Sequence, residues 1–332
     1  MKFSVNKLVG GVLYIDKEIV CIKLDRTLLK VFEFSPEFSE TLSIKLAKRT
    51  NKIGRYKEGI YFYQDEVSYF YSLKNGFDKK FNGKFFYIYG DIYKAYLLIE
   101  NKDVIIFDSE KKVRVPVLQQ GGPKLFLKDG FIQAEQVGSG DGSICYYDIF
   151  NDGQIVWNHK YALLAEAQKG NLHSNLLSNY NNLFFVITGN QNNGLYVLDV
   201  HSGKLLKKFD EVCYEIFQDG DFIYSTKFEN VLCRINTQNL ELEEWDCNSL
   251  VKSNGFDAIH DHRCAVLNDR FYFTQTIGDN KAKLGILDWD KKDLIYKYEF
   301  EPKNGGIGSI QVNESRMFVH TQDNTLHIFE ID

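Results

Sequence analysis

The feature that most constrains this chain is a hairpin pattern that recurs at a spacing of about 40 residues. Its clearest copy is residues 182–209, NLFFVITG-NQNNG-LYVLDV-HSG-KLLKKF. Two apolar runs are joined by a polar loop, and a tight turn leads to a third run. The pattern returns at 94–117, 130–161, 221–245 and 270–300, and hairpins begin near residues 18, 59, 94, 130, 182, 222, 270 and 316. A short polar residue closes the second run of six of these hairpins, at Ser72, Asp108, Asp148, Asp199, Asn236 and Asp288. Such side chains bond nearby backbone N–H groups and initiate turns, so this column reads as turn chemistry rather than catalysis. Gly76, Gly153 and Gly203 follow where the turn calls for positive φ. A further short strand precedes the hairpins, as at 85–91, 213–217 and 309–313.

Four antiparallel strands per repeat predict an all-β chain with the blades of a β-propeller, eight by this count, with seven as the alternative. The final unit, ending at IFEID, holds only three strands. Residues 1–8 are therefore expected to pair with the C-terminal blade 307–332, closing the ring of a single domain over 1–332 and leaving no exposed edge. Composition agrees. Aromatic residues make up 15% of the chain and prolines number 4, a balance suited to pleated, half-buried surfaces.

The opening MKFSVNKLVGGVLYIDKE lacks the features of a signal peptide, and no apolar run approaches the ~20 residues needed to span a bilayer. The six cysteines are scattered without a CxxC pair, as expected for free thiols in a reducing cytoplasm. With 40 basic and 45 acidic residues the net charge is −5. That disfavours nucleic acid, which selects a basic face, and suits a basic protein partner.

Leu195-Tyr196-Val197-Leu198-Asp199 followed by Ser202-Gly203-Lys204 resembles the repeat of the quinoprotein-like (PQQ-like repeat) propellers. These carry a similar L-Y-A-L-D, T-G-K pattern in each blade, often with a Trp in the fourth strand. Trp157 and Trp245 occupy fourth-strand positions, and Phe209 replaces Trp in the best-matching copy. The resemblance implies the fold. The adjacent cysteine pair of some quinone-dependent members is missing, so no cofactor is expected.

The chain spends its extra residues on connections and hairpin loops that share one face of such a fold: 162–173, 246–260, 138–142, 190–194 and 278–283. Loops are free of the packing rule that fixes strands, and this face is the candidate site. Tyr161 and Phe256 are expected as aromatic anchors whose truncation weakens binding while barely changing stability. Leu163, Asn171, His173 and Lys252 complete a mixed apolar and polar patch. Asp246, Asp257 and Asp261 would attract a basic partner. His260 and His262, two residues apart, could join His173 around a metal. Cys247 near His260 could be read as a thiol with its base, although no third orienting group is evident.

These features predict a non-catalytic, cytoplasmic, bacterial protein, without cofactor or membrane attachment, monomeric until it binds a specific protein. One form of that reading is an immunity protein covering the active site of a toxin. The alternative is a metal-assisted hydrolase or lyase acting at the central channel.

Overall fold

The computed structural model describes the strands between residues 2 and 127 and, beyond them, residues 130–135, 142–148, 151, 153–189, 191–259, 263–277 and 281–331. Two compact units are distinguished, Leu46–Cys213 and a second made of Met1–Lys45 with Tyr214–Asp332. Among the described residues the strands form eight antiparallel sheets, seven of four strands and one of five.

In the unit Leu46–Cys213, the sheets span residues 53–82, 85–114, 124–160 and 171–210. The five-stranded one arises because its first strand is split. Asn171–Leu172 and Leu177–Asn179 both pair with Asn182–Thr188. In the other unit three sheets span 12–45, 217–246 and 265–299. The fourth combines Ile307–Val312, Arg316–Thr321 and Thr325–Glu330 with Lys2–Leu8, which pairs antiparallel with Thr325–Glu330. The strand expected at 213–217 lies instead at Phe217–Asp219. There the turn around Gly220 sets its pairing with Phe222–Tyr224.

Burial is graded across the sheet 171–210. Of Asn182–Thr188 all but Thr188 is buried, as is all of Gly194–Asp199 except Asp199, whereas Leu205–Asp210 is largely exposed. Strands covered on both faces read as continuous apolar runs, which is the pattern the sequence shows. Three of the outer strands share a bulge. Pairing shifts at Tyr146/Tyr147, Val197/Leu198 and Ile286/Leu287, leaving Val156, Leu206 and Ile295 as extra residues on the exposed edge. Bulges of this kind bend an outer strand and blunt it as an edge for unwanted pairing.

The polar turn column behaves as turn chemistry. Asp199 accepts from the backbone N–H and hydroxyl of Ser202 at 2.7 and 2.6 Å. Asp148, Asn236 and Asp288 accept from Asn151, Asn239 and Lys291 at 3.0–3.1 Å. Gly153 and Gly203 have φ of 70° and 69°, but Leu240 and Lys292 take the same left-handed region without glycine. Asp108 and the side chain of Ser72 lie outside the described residues, and Gly76 opens the strand Gly76–Asn82.

These turns receive tryptophans. The Trp157 indole donates to the Val200 carbonyl at 2.8 Å and packs on Gly203. In the other unit Trp245 meets Trp289 edge-to-face at 6.1 Å, and the Lys292 ammonium lies 3.3 Å from the Trp289 centroid and 5.1 Å from that of Trp245. Lys292 follows Asp288 as Gly203 follows Asp199, so the second docking exchanges a bare glycine for a cation on aromatic faces.

Candidate interaction face

In the unit Leu46–Cys213 the connection after Gln154–Lys160 opens with a single helical turn, Tyr161–Leu164. Residues four apart share a helix face, so Tyr161 and Ala165 point one way and Leu163 the other. Tyr161 is fully buried and donates from its hydroxyl to the Glu135 carbonyl at 2.9 Å. Burial also pushes its phenol well above the ordinary tyrosine range. Ala165 is buried, and its carbonyl accepts from the Asn192 side chain at 2.7 Å. Leu163 is 74% exposed. The helical turn is thus clamped from beneath and holds one aliphatic side chain in solvent. Asn171 and His173 do not protrude. Asn171 pairs with Thr188 and the His173 N–H donates to Val186 at 2.9 Å, so both extend the sheet and are half-buried.

In the other unit, the connection 246–259 is built around Asn230. This side chain is 2% exposed. Its Nδ2 donates to Asn248 Oδ1 and the Asp257 carbonyl at 3.1 and 3.0 Å, while its Oδ1 accepts from the Ile259 N–H at 3.0 Å. Its own carbonyl accepts from the Cys247 N–H at 3.0 Å. Four bonds from one residue convert a long loop into a fixed element containing the helix Asn248–Ser253. Gln275 adds a two-way pair with Asp257 at 2.7 and 2.8 Å.

Phe256, expected as an anchor whose truncation leaves stability unchanged, is 1% exposed and meets Phe273 at 4.8 Å. It belongs to the core with Cys247, Val251 and Ile259. The same correction applies to Tyr161: both aromatics hold their connections down, so truncation must cost stability. Asp246, Lys252 and Asp257 are exposed. His260, Asp261 and His262 lie outside the described residues.

Sequence reasoning passed over Phe228. It is 59% exposed on the short hairpin between Phe222–Lys227 and Val231–Asn236. Beneath it lies Tyr214, edge-to-face at 5.4 Å. Glu229 and Asn230 both have left-handed φ, 60° and 63°, within the three-residue connection 228–230 that joins the paired residues Lys227 and Val231. The signal was present as a bulky apolar residue beside a polar turn, outside the alternation of either strand.

Burial raises the Cys247 thiol to about 12, and its Sγ lies 3.4 Å from the Trp245 carbonyl as a donor. At neutral pH this sulfur is a protonated core group, not a nucleophile. Among the described residues no three His, Cys, Asp or Glu side chains converge as metal ligands, and no helix is long and apolar enough to cross a membrane.

Fold and site together define an all-β propeller presenting structured connections and exposed apolar side chains. The chain is similar over 98% of its length to the computationally designed Ika8 protein, of which 96% is covered, with a TM-score of 0.66 and 11% identity. It is similar over 99% to BamB from Moraxella catarrhalis, itself covered over 99%, with a TM-score of 0.62 and 11% identity. Sqt1 from Saccharomyces cerevisiae matches over 98% of this chain and 96% of its own, with a TM-score of 0.65 and 10% identity. No family model matches the sequence, and no curated protein matches it. These likenesses show the fold, including its resemblance to PQQ-like repeat propellers such as BamB.

Proposed function

We propose that this chain is a protein-binding propeller of eight blades over residues 1–332, with Lys2–Leu8 as the outer strand of the blade completed by residues 307–330. It engages a specific protein through the face carrying its hairpin loops and inter-sheet connections. The observation that carries this reading is Leu163, 74% exposed on a helical turn whose Tyr161 and Ala165 are buried. A rigidly held apolar side chain in solvent stabilises nothing in the free chain, but costs little entropy to bury against a partner. BamB, Sqt1 and the WD40 propeller of Doa1 share the fold at 10–11% identity, which makes a scaffold reading compatible without naming a ligand.

The cytoplasm is the proposed compartment, and the proposed partner is a protein rather than nucleic acid or lipid. A toxin neutralised by occlusion is one specific form of it. The test is incorporation of a photo-crosslinking amino acid at position 163 in the native host, with the same probe at exposed Leu205 on an outer strand as control. A discrete adduct at 163 that is missing at 205 supports the reading. Identical patterns at both positions overturn it. Mixing the partner with this chain then separates inhibition from scaffolding.

A further inference from the structure

We propose that the Phe228 hairpin is a second recognition element, and that it fits a protein segment pairing an apolar pocket or side chain with lysine or arginine. The inference rests on the protein-binding reading above and names the partner chemistry at a different place on the chain.

Three observations converge there. Phe228 is exposed at 59%, although the strands on either side bury their apolar side chains. Its position is fixed. Asn230, two residues on, is buried and held by the bonds to Asn248, Asp257, Ile259 and Cys247. Two successive left-handed residues restrict the turn further, and Tyr214 supports the ring from one side. An exposed aromatic on a preorganised hairpin is the kind of side chain that dominates interface energies.

The surround is acidic. Glu229 is exposed beside the ring, Asp246 pairs across from Val231 at the hairpin base, and the Asp257 carbonyl is bonded to Asn230. Glu244 is occupied by Lys227 at 2.6 Å, and Lys252 lies in the last turn of the neighbouring helix. At the tip of the hairpin Glu229, Glu244 and Asp246 stand against Lys227 and leave it net negative, while Lys283 and Lys297 bond to the Gly255 and Asn254 carbonyls farther along the neighbouring connection. A second copy of this chain would bring like charge against like charge, which disfavours self-association through it.

The probe is a phage-displayed random dodecapeptide library selected on the immobilised full chain, with a counter-selection on Phe228→Ala. Because Phe228 is exposed, that variant should melt like the parent. The expected outcome is enrichment of peptides that place Lys or Arg beside Leu, Met or an aromatic. A synthetic peptide of that consensus should lose roughly thirtyfold in affinity or more on Phe228→Ala. Glu229→Lys should slow its association and flatten its salt dependence. Absence of enrichment over Phe228→Ala overturns the proposal, as does enrichment of acidic peptides. Peptides sensitive to Leu163→Asp but not to Phe228→Ala would sink this inference while leaving the broader reading intact.

Discussion

The Trp157 indole N–H donates to the Val200 carbonyl at 2.8 Å, tying the outer strand of one sheet to the turn of the next. The turn is shaped to receive it. A Cβ on Gly203 would lie 2.6 Å from Trp157 Cγ, and Gly203 has φ of 69°. Gly203→Ala is therefore expected to cost about 2–4 kcal/mol, from left-handed strain together with overpacking. Trp157→Phe should cost about 1–3 kcal/mol by stranding a carbonyl. Urea midpoints check both, and a Gly203→Ala protein as stable as its parent would refute the docking account.

The burial of Tyr161 and Phe256 separates packing from recognition. Phe256→Ala should destabilise by roughly 3–5 kcal/mol, and Tyr161→Phe by about 1 kcal/mol through one lost hydrogen bond. Leu163→Ala should stay within about 0.5 kcal/mol, because its side chain is in water. Thermal melts of the three variants suffice to rank them.

Asn230→Ala removes a buried amide serving the Asn248 side chain and the backbone of Asp257 and Ile259. It also places a Cβ residue less tolerant than asparagine at φ 63°. We expect a loss of about 2–4 kcal/mol and faster amide exchange across 246–259. Unchanged exchange in that segment would show that the helix Asn248–Ser253 holds itself.

Deleting residues 1–8 removes the strand paired with Thr325–Glu330 and uncovers its edge. The truncated chain is expected to melt lower and to associate at micromolar concentration. Sedimentation and calorimetry would read this out, with a monomer of unaltered melting temperature as the contrary result.

His327 is 2% exposed against Phe300, edge-to-face at 4.9 Å, and burial lowers it to about 4. The unfolded chain therefore takes up a proton near pH 6.5 that the folded chain refuses until about pH 4. Stability should be flat above pH 6.5 and fall by at most about 3 kcal/mol between pH 6.5 and 4. His320 is lowered by burial as well and acts in the same direction. Asp323, held at about 2 despite burial by bonds from Thr321, Asn304 and Thr325, adds a separate loss below pH 3.8. In His327→Gln the slope between pH 6.5 and 4 should shrink, and an unchanged slope would assign it elsewhere.

The strand pattern was legible because it is local. Asn182–Thr188 and Gly194–Asp199 announce themselves by continuous apolar runs, and Asp199 with Gly203 by turn chemistry that needs no distant partner. Connection length likewise marked where the chain departs from its repeat. The sequence could not say which side chains of those connections face inward. Phe256 and Leu163 are both apolar residues in long connections. One is buried against Phe273 while the other stands in solvent, because Tyr161 and Ala165 claim the inner face of a single helical turn. Nor could it show that Asn230, 18 residues before Asn248 and 29 before Ile259, would gather a whole segment around one amide. Repeat, strand order and turn type thus came from near neighbours along the chain. Exposure came only from which surfaces tertiary packing covered, and it left Tyr161 and Phe256 buried while Leu163 and Phe228 stand in solvent.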